Sequence, residues 1–290
     1  VRLKTALRLG RVSNLPTVWT NTLAGAVLAG ATGFGAEFAV MLAAFSLFYV
    51  GGMFLNDAFD AAIDAKERPE RPIPSGEISA STVYGYGFAM LAAGVVLLAW
   101  VGYGFAPRTG AWPAAAGIAL AAAITYYDWN HKQNVFSPVV MGLCRVLIYV
   151  AAALCYTLAL PDKLWIGALL MLCYLIGLTY VAKQENLAQV ENLWPLLFLA
   201  APVAYGAWLA LRQPVAGILW LAFTVWALVA LWFLRRRRKG DIPRAVVSLI
   251  AGISLLDALL ISGTGAYGLT LLALAGFGVT LFFQRYISGT

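Results

Sequence analysis

Apolar stretches of about twenty residues recur along the whole chain, and this feature decides most of what it can fold into. A helix needs roughly 20 mostly apolar residues to cross about 30 Å of hydrocarbon. Such stretches fall at 15–32, 38–56, 82–102, 111–127, 138–158, 163–183, 193–211, 215–235, 244–262 and 266–284. They are long and rich in Leu and Ala, not the alternating segments of about ten residues that build a transmembrane barrel. Charge content agrees: 11% of the 290 residues are charged, where a soluble domain carries about 25%. No polar segment is long enough to form a separate soluble domain. The expectation is one domain over 1–290, an all-α polytopic membrane protein made of nine to ten transmembrane helices.

Lys and Arg set the orientation, because they stay on the cytoplasmic side of short loops. With the N-terminus inside, the inner segments carry Arg2, Lys4, Arg8, Arg11, Lys66, Arg68, Arg71, Lys132 and Lys183, then the run Arg235 to Lys239, Arg244 and Arg285. The outer segments carry only Arg108, Lys163 and Arg212. The net charge of +7 is therefore mostly a topology signal, and nucleic-acid binding is a poor explanation for cations that flank spans instead of forming one patch. The run Arg235 to Lys239 is suited to anionic lipid headgroups. The opening VRLKTALRLGR reads as a basic amphipathic lead-in rather than a cleaved signal. The cytoplasmic membrane of a prokaryotic cell is the expected location. Cys144, Cys155 and Cys173 match neither a zinc site nor a disulfide framework and read as small core residues.

The chemistry is concentrated at the inner end of the second stretch, Asn56-Asp57-Ala58-Phe59-Asp60-Ala61-Ala62-Ile63-Asp64. On a helix Asp57, Asp60 and Asp64 are spaced i, i+3, i+7 and share one face. Three carboxylates in one stripe repel each other and are costly beside hydrocarbon without a counter-charge. A hard divalent cation suits them: Mg²⁺ takes oxygen ligands, commonly one or two carboxylates plus phosphate oxygens. The next segment, Lys66-Glu67-Arg68-Pro69-Glu70-Arg71-Pro72-Ile73-Pro74-Ser75-Gly76, cannot be a regular helix because of its prolines. It brings Arg68 and Arg71 near the aspartates, and guanidinium groups pair with phosphates in a bidentate manner.

The run Asn-Asp-x-x-Asp-x-x-x-Asp, then Arg-Pro-x-x-Arg-Pro-Ile-Pro-Ser-Gly, resembles the first aspartate-rich motif of the UbiA superfamily of intramembrane prenyltransferases. The lead-in RLGRVSNLPTVWTNTLAG is similar to that family's first helix. The resemblance implies a helical bundle with its site open to the cytoplasm. It also implies Mg²⁺-dependent transfer of an isoprenyl group from a polyprenyl diphosphate to a small, aromatic acceptor. By this resemblance Asn56, Asp57, Asp60 and Asp64 hold metal and diphosphate, with Arg68 and Arg71 beside them. Tyr126, Asp128, Lys132 and Asn134, in YYDWNHKQNVFSP, occupy the second cytoplasmic loop, where a lysine faces the diphosphate. The second aspartate motif departs from the family: Tyr180 fits, but Gly177 and Gln184 stand where acids are expected, and Lys183, Glu185 and Glu191 are the nearby charges. Two roles are open there, Glu185 holding a second Mg²⁺ or Lys183 replacing that metal as a fixed cation.

Several residues remain. Arg145, about two turns into the fifth stretch, either binds substrate or pairs with Asp128. Asn14 is a candidate pocket residue. Asp257 reads as one end of a helix–helix hydrogen bond, and His131 as ordinary surface. Most aromatics read as interfacial belts or packing, and a few, such as Phe59, Tyr126, Tyr127 or Tyr180, are candidates to face a developing carbocation, with the choice among them left open by the sequence. Two alternatives stay open: a terpene cyclase or lipid-acceptor transferase on the same fold, and a non-catalytic protein that binds or translocates a diphosphate lipid.

Overall fold

A computed structural model describes residues 3–132, 134–183 and 194–287. Among the described residues twelve α-helices follow one another: α1 (Leu3–Leu9), α2 (Leu15–Leu28), α3 (Ala36–Phe59), α4 (Ala61–Glu67), α5 (Ala80–Gly104), α6 (Trp112–Asn130), α7 (Ser137–Leu154), α8 (Asp162–Lys183), α9 (Ala200–Ala210), α10 (Pro214–Arg236), α11 (Asp241–Ser262) and α12 (Tyr267–Phe283). Short 3₁₀ turns at Val12–Asn14 and Trp194–Leu199 lead into α2 and α9. No strand occurs among the described residues.

All ten apolar stretches are helical over most of their described length, with ends within a few residues of the predicted ones. Among the described residues six helices, α3, α5, α7, α8, α10 and α11, are long and apolar enough to cross a membrane. The starts follow local chemistry. α2, α6, α7 and α10 carry Pro at the first or second helical position, where the missing N–H needs no partner. Ser79 caps α5 by accepting from the Thr82 amide at 3.2 Å.

α2 is the centre of the bundle. Twelve of its fourteen residues are buried, and α3, α7, α8, α11 and α12 all pack on it. Its contact with α7 is closest at Gly25, where an added Cβ would lie 2.7 Å from the Tyr149 carbonyl oxygen. Only a residue without a side chain lets the two backbones meet there. α3, α5 and α6 form one side of the bundle against α7, around Phe45, Phe48, Leu98 and Leu120. α8 to α12 close the other side, around Met171, Tyr174, Phe223 and Leu256. Cys144 and Cys155 are buried and Cys173 partly so. In the basic run only part of the charge faces outward, because Arg236 is held in two 2.7 Å hydrogen bonds by the buried Asp241 that opens α11.

Candidate active site

Sequence spacing predicts one continuous helix through the aspartates, and the structure breaks it at Asp60. α3 ends at Phe59, and Asp60 caps both helices: its amide donates to the Asn56 carbonyl at 3.0 Å, while its own carbonyl accepts from the Asp64 amide at 2.9 Å. The chain thus turns without losing hydrogen bonds, and Asp60 and Asp64 stay on the wall of one cavity. That cavity has a volume of about 570 Å³. The Arg11 and Asn14 turn, α3, α4, the loop after it, the α6–α7 loop, α7, α8 and α11 all line it.

The counter-charge that three carboxylates in one stripe require comes in this structure from side chains of the chain itself. Asp57 does not line the cavity; it sits behind it, paired with Arg11 at 3.0 Å and Arg71 at 3.2 Å. Arg71 also holds Asp64 at 2.7 Å. Asp60 faces Lys132 at 3.4 Å and His131 at 3.6 Å. Every carboxylate of the motif therefore has a basic neighbour supplied by the chain itself. The proline-rich loop makes this possible: it folds back as turns over 68–76, with the Arg71 amide on the Arg68 carbonyl and the Ser75 amide on the Arg71 carbonyl.

The segment from the end of α6 to the start of α7 divides. Lys132 lines the cavity, but Tyr126 and Asn134 do not. Tyr126 turns outward, 45% exposed, into an apolar groove with Phe59, Phe88 and Trp129, and its hydroxyl accepts from Asn134 at 3.4 Å. Helical rotation of about 100° per residue separates it from its neighbour Tyr127, which does face the cavity. Phe59 likewise packs on Tyr84 instead of on the cavity. His131, expected at the surface, is half-buried, stacks on Tyr127 with ring centroids 5.0 Å apart and lines the site. Burial pushes its imidazole below the usual histidine pKa, against the pull of Asp60. Asp128 is buried behind Asn56, which donates to one of its oxygens at 3.1 Å; the other oxygen has no hydrogen-bond partner among the described residues.

On α8, Tyr180 and Lys183 line the cavity, and the Lys183 ammonium donates to the Asn134 carbonyl at 2.8 Å. Glu185, with Gln184 and Glu191, lies outside the described residues. Asn14 lines the site and accepts from Gln284 at 3.0 Å. Arg145 also lines it, but its partner is not Asp128: it donates to Asn21 at 2.7 Å and Thr17 at 3.2 Å. Asp257 makes the helix–helix bonds expected of it, to Asn21 at 2.8 Å and to the Tyr149 hydroxyl. Sequence reasoning missed Arg11, Tyr49 and Met53 as site residues. Arg11 had been absorbed into the charge count of the lead-in, and nothing local marked the other two.

The donor set facing the cavity is oxygen-rich: Asn56, Asp60 and Asp64, with the unpartnered Asp128 oxygen behind. Among the described residues no three acidic, imidazole or thiol side chains converge tightly enough to cage a metal unaided. This suits a hard cation that takes one or two carboxylates and completes its shell with water and phosphate.

A bundle of apolar helices thus carries a carboxylate–guanidinium cavity at one end, with the proline-rich loop folded beside it. The chain belongs to the UbiA prenyltransferase family, whose model matches residues 18–249. It is similar to the digeranylgeranylglyceryl phosphate synthase of Ignicoccus hospitalis, 33% identical over 57% of this chain and 50% of that protein. The enzyme of the same name from Methanopyrus kandleri is 28% identical over 77% of each chain. The chain thus spans about half the length of the first of these relatives and about three quarters of the second. Two solved structures share the fold. One, of a digeranylgeranylglyceryl phosphate synthase, has a TM-score of 0.63 and 18% identity over 90% of this chain and 98% of that one. The other, a UbiA homologue from Archaeoglobus fulgidus bound to GPP and Mg²⁺, has a TM-score of 0.53 and 16% identity over 97% and 99%.

Proposed function

We propose that this protein transfers an isoprenyl group from an isoprenyl diphosphate to an acceptor inside the bundle. One observation carries the reading: a single cavity joins Asp60 and Asp64 to Arg68, Arg71, Lys132 and Lys183 at one end and is walled farther in by Met53, Met141, Leu175, Leu178, Ile250 and Ile253. The cations hold the diphosphate and stabilise it as a leaving group. Asp60 and Asp64, with Asn56 and Asp128, would hold Mg²⁺, and Asp57 keeps Arg11 and Arg71 in place. When bound, the metal neutralises charge on the departing diphosphate. Tyr49, Tyr127 and Tyr180 line the cavity and offer ring faces to positive charge developing on the allylic carbon. The apolar walls keep water from quenching it. The C–O bond breaks with its electron pair on the diphosphate, the acceptor forms the new bond, and its proton leaves to a base at the mouth.

The same reading puts nine or ten of the helices in the bilayer, with the N-terminus and the cavity mouth on the cytoplasmic side. A glyceryl phosphate lipid is the acceptor we favour, supported by the name that both archaeal relatives carry. A small aromatic acceptor is the second reading, favoured by a volume of about 570 Å³ with tyrosines on its wall.

The test is pyrophosphate release from geranylgeranyl diphosphate by the purified protein in lipid, with and without Mg²⁺, with each acceptor class and beside Asp60→Asn. Metal-dependent release that vanishes in the variant, with a mass-shifted acceptor, supports transfer. Metal-dependent binding without release, across chain lengths and acceptors, makes the protein a diphosphate-lipid binder instead.

A further inference from the structure

Arg145 is the charged group on the cavity wall that the diphosphate end does not explain. It lies eight residues into α7 from Ser137, about 12 Å along the helix, and is only 9% exposed. No carboxylate among the described residues lies within ion-pair distance of it. Two of its donors go to neutral oxygens of α2, on Asn21 and Thr17, and a guanidinium has five.

The Asp257 carboxyl group reaches Arg145 through an intermediary. Asn21 accepts from Arg145 and donates from its other amide atom to Asp257. The second oxygen of Asp257 is taken by the Tyr149 hydroxyl. Asn21, Tyr149 and Asp257 are fully buried. A direct Arg–Asp pair would cancel the charge; an amide between them fixes the guanidinium plane and leaves its charge for the cavity. A buried guanidinium without a counter-ion is costly, and an anion brought by a ligand removes that cost. A second polar group on the same wall also awaits a partner: the Thr179 hydroxyl is buried, lines the cavity and has no hydrogen bond among the described residues.

We propose that Arg145 binds an anionic group on the acceptor, and that Asp257, through Asn21, is the positioning residue that holds the guanidinium on the cavity wall. This rests on the prenyl-transfer reading above. The anion has two possible sources, a lipid phosphate or an aromatic carboxylate, and both offer the same oxygen pair to a guanidinium.

The test uses the full chain in lipid with two matched acceptor pairs: geranylgeranylglyceryl phosphate against geranylgeranylglycerol, and 4-hydroxybenzoate against 4-hydroxybenzamide. Farnesyl thiodiphosphate with Mg²⁺ reports the diphosphate end separately. The variants are Arg145→Gln, Arg145→Lys, Asp257→Asn and, as a packing control, Ser254→Ala, which removes a 3.1 Å bond to Thr20 between the same helices α2 and α11. A hydrogen bond to a charged group contributes about 1.5–3 kcal/mol. Arg145→Gln should therefore raise KM for the charged acceptor roughly 10- to 100-fold, leaving kcat, the neutral acceptor and thiodiphosphate binding near wild type. Arg145→Lys should recover part of the loss. Asp257→Asn should reproduce part of it, and Ser254→Ala should lower the thermal midpoint without changing acceptor preference. The pair in which the difference appears names the source of the anion.

Equal losses on charged and neutral acceptors, or a parallel loss of thiodiphosphate binding, overturn the acceptor assignment. So does a wild-type protein that releases pyrophosphate from the prenyl diphosphate but prenylates neither pair. An Asp257→Asn variant that loses only thermal stability overturns the positioning role. Wild-type protein that does not bind thiodiphosphate, or binds it and releases no pyrophosphate from the prenyl diphosphate, is a different failure, that of the prenyl-transfer reading itself.

Discussion

The two groups of carboxylates in this protein are built in opposite ways. At the cavity mouth Asp57, Asp60 and Asp64 are paired with Arg11, Arg71 and Lys132, side chains that reach in from a turn, a proline-rich loop and a six-residue connection. In the centre Asp257 is fully buried and bound by Asn21 and Tyr149, neutral groups on rigid helices. On the proposed function, the mouth holds charges whose partners can be exchanged for a metal and a diphosphate. The centre holds a carboxyl group whose partners cannot leave. One carboxylate chemistry serves ligand exchange in the first place and fixed geometry in the second, and the difference lies in what carries the counter-groups.

This contrast sets the order of expected effects. The largest is Asp60→Asn, which should cut isoprenyl transfer on the order of 10³-fold while the thermal midpoint stays put, because Lys132 is 35% exposed and water replaces its partner. A collapse in stability would erase the contrast. Asp257→Leu should do the reverse, lowering unfolding free energy by about 3 kcal/mol, read by denaturant titration in detergent. Wild-type stability there would mean that the buried network is ornamental. Arg71→Lys is smaller: one ammonium cannot bridge Asp57 and Asp64 as the guanidinium does, and diphosphate affinity should fall about tenfold, measured by thiodiphosphate titration. The smallest is Glu77→Ala. Its pairing with Arg8 at 3.2 Å is well exposed on both sides, so stability should change by less than about 1 kcal/mol.

The sequence made the bundle legible because the signal was local: each span is a continuous apolar run, and each start carries its own proline or cap. The motif was legible for the same reason, since Asn56 to Asp64 and Arg71 sit within one short segment. What failed was whatever depended on rotation or on distant partners. Tyr126 and Tyr127 are adjacent and chemically equal, and only the roll of α6, set by packing on α3 and α7, decides which one faces inward. His131 looked exposed because nothing nearby in the sequence says that Tyr127 and Asp60 will enclose it. The sequence offers Asp128 as a structural partner for Arg145. Its actual partner, Asn21, is 124 residues away, and an uncharged amide gives no hint of its role. The break at Asp60 also left no mark, since Asp tolerates both a helix interior and a cap.

Gly25 gives this arrangement a consequence for how the protein can change. The α2–α7 gap is set by the absence of one methyl group, and the atoms that would be struck belong to Tyr149, the residue hydrogen-bonded to Asp257. A Gly25→Ala change would act as a shim: the helices must part, and Asn21 and Arg145, one turn away on either side, would part with them. If Arg145 binds the acceptor as proposed, position 25 adjusts that site without touching the substrate, and a change toward a bulkier acceptor has a one-carbon dial for it.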